Sequence, residues 1–156
     1  MITIGYKMRA VIQRVNYAKL RVEGSIFSKI SNGLVVLLGV THDDGIEDVK
    51  WLAKKIANLR IFNDQASIMN NSLIDVQGEL MIISQFTLHA QTKKGNRPSY
   101  INAAKGEIAL KIYNSFILEF ENEYKLKPKT GKFGADMKVE LENDGPVTIV
   151  IDTKNK

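Results

Sequence analysis

The sequence predicts an α/β fold in which a mixed sheet is covered by helices on one side. Three observations carry that expectation. β-Branched runs follow one another from Arg9 to Val40, two long apolar stripes at helical spacing lie in the middle, and alternation returns after Met137. No internal repeat, linker or low-complexity segment divides the 156 residues, so one domain is expected.

The first run, "RAVIQRVNYAKLRV" (Arg9–Val22), alternates well enough for two short strands or one bent strand. Glu23-Gly24 reads as a turn, and "SIFSKI" as a half-buried strand. Ser31-Asn32-Gly33 carries the residue types of a hairpin turn. "LVVLLGV" (Leu34–Val40) is apolar throughout, as expected of a central strand covered on both faces. Asp43 or Asp44 can cap the helix that follows, whose apolar positions Ile46, Val49, Leu52, Ala53, Ile56 and Leu59 share one stripe up to about Arg60.

Asn63-Asp64 ends that helix, and "LIDVQGELMIISQFTL" reads as a strand, a Gly78 turn and a second, buried strand from Leu80 to about Phe86. A basic loop leads to Ser99, a candidate cap for a long helix with Ile101, Ala104, Ile108, Ile112, Phe116 and Phe120 on one side. Gly106 would weaken that helix by roughly 1 kcal/mol relative to Ala. "MKVELENDGPVTIVID" then reads as two strands around Asn143-Asp144-Gly145-Pro146.

Composition excludes several chemistries. The chain has no cysteine, so disulfides, thiolate catalysis and cysteine metal sites are absent, which suits a cytoplasmic location. The two histidines, His42 and His89, are far apart and in no metal-ligand spacing, so no metal is expected. There is no P-loop and no GxGxxG, hence no expected nucleotide cofactor, and no GxSxG elbow; His89 reads as a loop residue. No apolar run approaches the roughly 18 residues of a membrane span. A net charge of +5 favours a polyanionic partner, and the cations cluster: Lys93, Lys94 and Arg97 in one loop, Lys125, Lys127, Lys129 and Lys132 in another.

Two stretches invite chemistry. "SQFTL" (Ser84–Leu88) ends an apolar strand in polar residues, with no histidine–carboxylate pair nearby to activate Ser84 or Thr87. "NDGPVT" (Asn143–Thr148) admits two readings, a plain Asp-Gly hairpin turn or a cis Gly-Pro bond that turns two carbonyls to the same side.

Together with "MRAVIQRV" at Met8–Val15, these two motifs resemble the D-aminoacyl-tRNA deacylase family, whose hallmarks are SQFTL and NxGPxT. "KKGNRPSY" and "GKFGADM" are similar to the intervening family segments, so the likeness runs from Met8 to about Asp152. The departure is "MITIGYK", an extension (residues 1–7) ahead of a deacylase domain over 8–156.

The resemblance implies a three-layer β/β/α domain, a homodimer with active sites at the subunit interface, and hydrolysis of the ester joining a D-amino acid to the 3′-terminal adenosine of tRNA. It implies that Ser84, Gln85, Phe86 and Thr87 line the pocket and that a cis Gly145-Pro146 element enters the partner's site. It further implies that Arg14 braces that element and that Phe133, Gly134, Ala135 and Met137 shape the adenosine pocket. Lys93, Lys94 and Arg97 are then expected on tRNA phosphates, with no cofactor and no membrane. No protein base is needed, because the ester is already activated and the ribose 2′-OH can help activate water. Glycine, lacking a side chain, should escape a filter that works by excluding L side chains, so mischarged glycyl-tRNA is an expected substrate. Two rivals remain: a hydrolase using Thr87 as covalent nucleophile, and a non-catalytic RNA-binding module.

Overall fold

The computed structural model describes residues 7–156; of the expected N-terminal extension, residues 1–6 lie outside the described residues. Residues Arg9–Val22 form one 14-residue strand, β1. A turn with Glu23 at φ 52° and Gly24 at φ 80° leads into β2, Ser25–Ile30. β3 spans Gly33–Gly39.

Ser31-Asn32-Gly33 is not a hairpin turn. β2 pairs with β1 through Ala18–Val22 and β3 pairs with β1 through Arg9–Val15, so the two strands partner successive parts of β1 and not each other. None of these three residues has a positive φ, so the chain only bends here.

Helix α1 is Ile46–Asn58, with Val49, Leu52, Ala53 and Ile56 buried as the stripe requires and Ile46 exposed. Its N-cap is Gly45, whose N–H donates to Asp48 Oδ2 at 3.1 Å, in place of Asp43 or Asp44. Asp44 is occupied elsewhere, accepting the Met8 and Thr41 N–H groups at 2.7 Å each. The short strands β4 (Phe62–Asn63) and β5 (Met69–Asn71) form a small hairpin.

The expected strand after Leu73 is a compact turn. Ser72 N–H donates to Asp75 Oδ2 and Asp75 N–H to Ser72 Oγ, a reciprocal pair like a capping box, and Gln77 is at φ 52°. β6 is Glu79–Ser84 and is followed by a 3₁₀ turn at Phe86–His89. Helix α2 is Gly106–Tyr124 with Lys105 as N-cap, so Ser99 caps nothing and Gly106 stands at the helix start, where it does not interrupt it. Phe116 and Phe120 are buried as expected, but in the first half of the helix Ala109 and Tyr113 are buried in place of Ile108 and Ile112, and Ile101 and Ile108 are exposed.

β7 is Lys129–Thr130, and β8 runs from Met137 to Asp152 antiparallel to the whole of β1. The chain does not reverse at Asn143–Pro146. β8 continues along β1, with four residues between the partners of Val15 and Gln13 where β1 has only Arg14. One residue on, Asn16 of β1 has no strand partner between Asn143 opposite Val15 and Glu142 opposite Tyr17, and this second bulge, in β1 itself, changes the face that β1 presents. Ala10 and Ile12 join the core beneath the helices, whereas Ala18 and Leu20, of the same parity, join the core on the other face with Val15, Val35, Met81 and Ile83.

β3 and β6 are parallel, as are β6 and β7, so the sheet is mixed as expected. Ser28 Oγ donates to Thr130 O at 2.8 Å, joining β2 to β7, the two ends of the strand path. The sheet thus curls towards closure around the second core, and α1 and α2 pack on its outside: two sheet walls and a helical layer. Among the described residues no helix is long and apolar enough to cross a membrane.

Candidate active site

The end of β6 delivers Ser84, Gln85 and Phe86 to a cavity of about 370 Å³. The segment between β7 and β8 contributes Phe133, Gly134 and Ala135 to the same cavity, and Met137 and Val139 of β8 add to it. Val40, Ile83, Ala104, Gly106 and Ala109 complete the lining. Two sequence-distant groups of expected residues are thereby brought together, although Thr87 does not line the cavity.

Local hydrogen bonds hold the strand end. Gln85 N–H donates to Leu38 O at 2.7 Å, extending the pairing to β3 by one residue. The chain then tightens into the 3₁₀ turn, with Leu88 N–H on Gln85 O and Ala90 N–H on Thr87 O. Phe86 and Thr87 open that turn, where N–H groups have no partner within the turn itself. Arg9 secures the far end, its guanidinium donating to Leu88 O at 2.8 Å while pairing with Asp152 at 3.1 Å. Phe86 is exposed and meets Tyr100 edge-to-face at 5.1 Å. The Thr87 hydroxyl is exposed and accepts a hydrogen bond from the Gln85 side-chain amide.

No lining residue is ionisable at neutral pH. His89 is not the loop residue expected. It is buried at the end of the 3₁₀ turn against Gly39, where a Cβ would come within 3.0 Å of the ring. Burial pushes its pKa below the ordinary value, and the Arg9 guanidinium adds to that effect. Its ring does not line the cavity. His42 is exposed, and no cluster of three potential metal ligands occurs among the described residues.

The Gly145–Pro146 bond is cis, and both residues are exposed and outside this cavity. The motif's first and last residues tie the bulge shut: Asn143 Nδ2 donates to Thr148 Oγ1 at 2.9 Å, and Val147 N–H donates to Asn143 Oδ1 at 3.2 Å. Beneath it, buried Arg14 donates from Nη1 to Ile61 O at 2.7 Å and pairs through Nε with Asp144 Oδ2 at 3.1 Å. Gly145 has φ 123°, and a Cβ there would meet Val147 Cγ2 at 2.8 Å and Arg14 Nη2 at 3.1 Å. Arg14 is therefore placed to brace the element. Asn143, Asp144 and Thr148 belong to the motif read from the sequence but were given no role there, although Asn and Thr flanking a tight segment are a side-chain-to-backbone tie that could have been sought.

Lys93, Lys94 and Arg97 are exposed in a loop whose base is closed by Gln91 and Ser99, which exchange N–H···O bonds at 2.8 and 2.9 Å.

A family model described as D-Tyr-tRNA(Tyr) deacylase matches residues 11–152. The chain is 55% identical over 149 residues to a D-aminoacyl-tRNA deacylase of Bacteroides thetaiotaomicron, covering 96% of this chain and 99% of that one. It is 57% identical over 148 residues to one of Fusobacterium nucleatum, covering 95% and 97%. Among solved structures, one described as "c-Myc DNA Unwinding Element Binding Protein" is similar with a TM-score of 0.87 at 41% identity, over 92% of this chain and 97% of that one. Another, described as "a probable eukaryotic D-amino acid tRNA deacylase", has a TM-score of 0.77 over 93% and 98%; at 16% identity it speaks for the fold alone.

Proposed function

The chain belongs to the D-Tyr-tRNA(Tyr) deacylase family, and from that premise we propose that it hydrolyses the ester of D-aminoacyl-tRNA and of mischarged glycyl-tRNA, releasing the free amino acid and tRNA. The observation that carries the reading is a cavity that joins the Ser84–Phe86 strand end to Phe133–Met137 without one ionisable side chain. Such a site can bind an adenosine and polarise a carbonyl, but it cannot supply a proton acceptor. The substrate must bring its own.

In this reading the 3′-aminoacyl ester lies with its carbonyl oxygen toward the N–H groups of Phe86 and Thr87, which stabilise the developing oxyanion. Gln85 N–H is engaged with Leu38 O and takes no part. Water adds to the carbonyl carbon with the ribose 2′-OH assisting its deprotonation. The bond to O3′ then breaks, and the proton returns to that leaving oxygen. Thr87 Oγ1 contacts an amide donor, which cannot act as a base, so a side-chain nucleophile at Thr87 is disfavoured.

Chiral selection is assigned to Gly145-Pro146 of a second copy, in a homodimer with its sites at the interface. Support comes from the exposure of the element outside its own chain's cavity, and from exposed Phe86 and Val139 beside that cavity. The two carbonyls receive the α-ammonium and leave no room for an L side chain, whereas glycine passes. Lys93, Lys94 and Arg97 hold acceptor-end phosphates. The fold over residues 8–156 acts as one deacylase domain, and a cytoplasmic location suits the cysteine-free chain.

A second reading, a nucleic-acid-binding module without catalysis, is favoured by the description of the 41% identical solved structure as a DNA-binding protein. Turnover separates the two. D-Tyr-tRNA is expected to be deacylated at least about a hundredfold faster than L-Tyr-tRNA, the scale that a steric and hydrogen-bonding filter supplies. Equal rates, or none, would overturn the proposal.

A further inference from the structure

We propose that the lysine-rich segment between α2 and the cavity, with a groove on β1 and β2 beside it, is a second RNA-backbone tract that guides the strand leaving the active site. The identity of that RNA rests on the deacylase reading above; the tract itself rests on charge and placement. Between Tyr124 and Asp136 the sequence holds Lys125, Lys127, Lys129 and Lys132 and no acidic residue. All four side chains are exposed; Lys125 Nζ reaches the Asn122 carbonyl at 3.0 Å, and the other three form no ion pair among the described residues.

Placement ties these cations to the site. Lys132 directly precedes Phe133, which lines the cavity. Lys129 lies in β7 opposite Met81 of β6, and Ser84 is three residues farther along β6, about 10 Å at the usual strand rise. That is the scale of a few nucleotides of a single-stranded 3′ end. On its other side Lys129 lines a groove of about 660 Å³ together with Lys19, Lys29, Tyr17 and Phe27.

Glu79 is the single acidic residue of that groove, and its Oε1 accepts the Ser31 N–H at 3.4 Å. Glu140 of β8 stands opposite Lys19 and hydrogen-bonds Tyr17, so it is Lys29 and Lys129, with Lys127 and Lys132 beside them, that favour phosphate. The half-exposed Phe27 ring adds a face on which a base can stack, a pairing of features that single-stranded nucleic acid uses and a simple anion does not. The tract is independent of the Lys93–Arg97 loop, which belongs to a different connection.

The test is the salt dependence of binding to uncharged tRNA, measured by fluorescence anisotropy between 50 and 200 mM salt, for the whole chain and for the triple variant Lys127→Ala, Lys129→Ala, Lys132→Ala. Each phosphate contact in a single strand contributes about 0.7 to the log–log slope. The triple variant is expected to lose about 2 from the slope and to bind at least about tenfold more weakly at low salt, while the triple Lys→Arg variant keeps the slope. A slope unchanged in the alanine variant overturns the proposal, as does a loss confined to variants of Lys93, Lys94 and Arg97. If the alanine variant does not melt cooperatively, the triple Lys→Gln variant is read in its place. The wild type separates the two readings. A slope lost in the variant while the wild type fails to hydrolyse D-aminoacyl-tRNA keeps the tract and sinks the deacylase reading; hydrolysis with an unchanged slope sinks the tract alone.

Discussion

Arg14 stands just before the point where β1 changes the face it turns to the core, opposite four residues of β8. Its guanidinium satisfies the Ile61 carbonyl and the Asp144 carboxylate at once, so it joins the β4 region to the Gly145-Pro146 element. Lysine can keep the charge but not the fork. Arg14→Lys is expected to lower stability by about 1–3 kcal/mol, a range kept modest because Asp144 is partly exposed, and to reduce D-substrate turnover as the element loses its brace. Urea melts alongside D-Tyr-tRNA kinetics check this, and full activity in a folded Arg14→Lys variant would contradict it. The resemblance pointed to Arg14, but its partners were not legible: Ile61 and Asp144 lie far from it in sequence, one in the connection after α1 and the other in the bulge of β8, and meet it only in the folded chain.

Asp44 shows the same limit. Its sequence position suggested a helix cap, yet it is buried and accepts two backbone N–H groups, one of them from Met8. Burial outweighs those bonds and pushes its pKa up to about 6. An acid raised in the folded state binds more protons folded than unfolded between about pH 4 and 6, so its stabilising contribution is present below that window and lost as the pH rises through it. A chain started at Met8 would place an α-ammonium on Asp44 and hold it ionised. The chain that carries residues 1–7 is therefore expected to lose stability relative to the chain started at Met8 between pH 4 and 7, by on the order of 2 kcal/mol, in urea titrations at several pH values. Parallel pH profiles for the two chains would contradict this account.

At the scale of elements, α2 does more than cover the sheet. Buried Tyr113 donates its phenol O–H to Ile82 O at 2.7 Å, and its ring lies 5.8 Å from Phe133. Burial pushes the phenol pKa to about 12, so it remains a donor at any working pH. One side chain thus couples the strand that ends in Ser84 to the segment that supplies Phe133. Tyr113→Phe keeps the ring and removes the tether. It is expected to cost about 1 kcal/mol in stability and to raise KM several-fold with a smaller change in kcat. A stability loss with unchanged KM would leave Tyr113 as packing alone.

The strongly periodic elements were readable in sequence: β1, β3, α1 and the body of α2 stand where alternation or helical spacing put them. Failures came where side-chain hydrogen bonds or tertiary pairing overrode a local pattern. Leu73 to Val76 looked like a strand because of its β-branched residues, but the Ser72–Asp75 bonds close it into a turn, with Leu73 buried and Ile74 and Val76 exposed. Ser31–Gly33 and Asn143–Pro146 looked like chain reversals because their composition suits turns, whereas pairing to β1 carries the chain onward at both.

Across the whole molecule, a curled mixed sheet with one core inside and another beneath two helices brings Ser84–Phe86 and Phe133–Met137 to one uncharged cavity. The cavity's existence could not be read from either motif alone, since its two halves lie some fifty residues apart, and only the parallel pairing of β6 with β7 brings the connected segments together. Gly145 and Pro146 of the same chain lie outside it, so the proposed chiral reading calls for two chains. The central claim is that this cavity uses the ribose 2′-OH where other hydrolases use a side chain. The most direct test compares D-Tyr-tRNA ending in adenosine with the same substrate ending in 2′-deoxyadenosine, in single turnover. Loss of at least about a hundredfold in rate with little change in binding is the predicted result, the usual scale for removing a general base. Equal rates on the two substrates would contradict the account, because a base would then have to come from the protein.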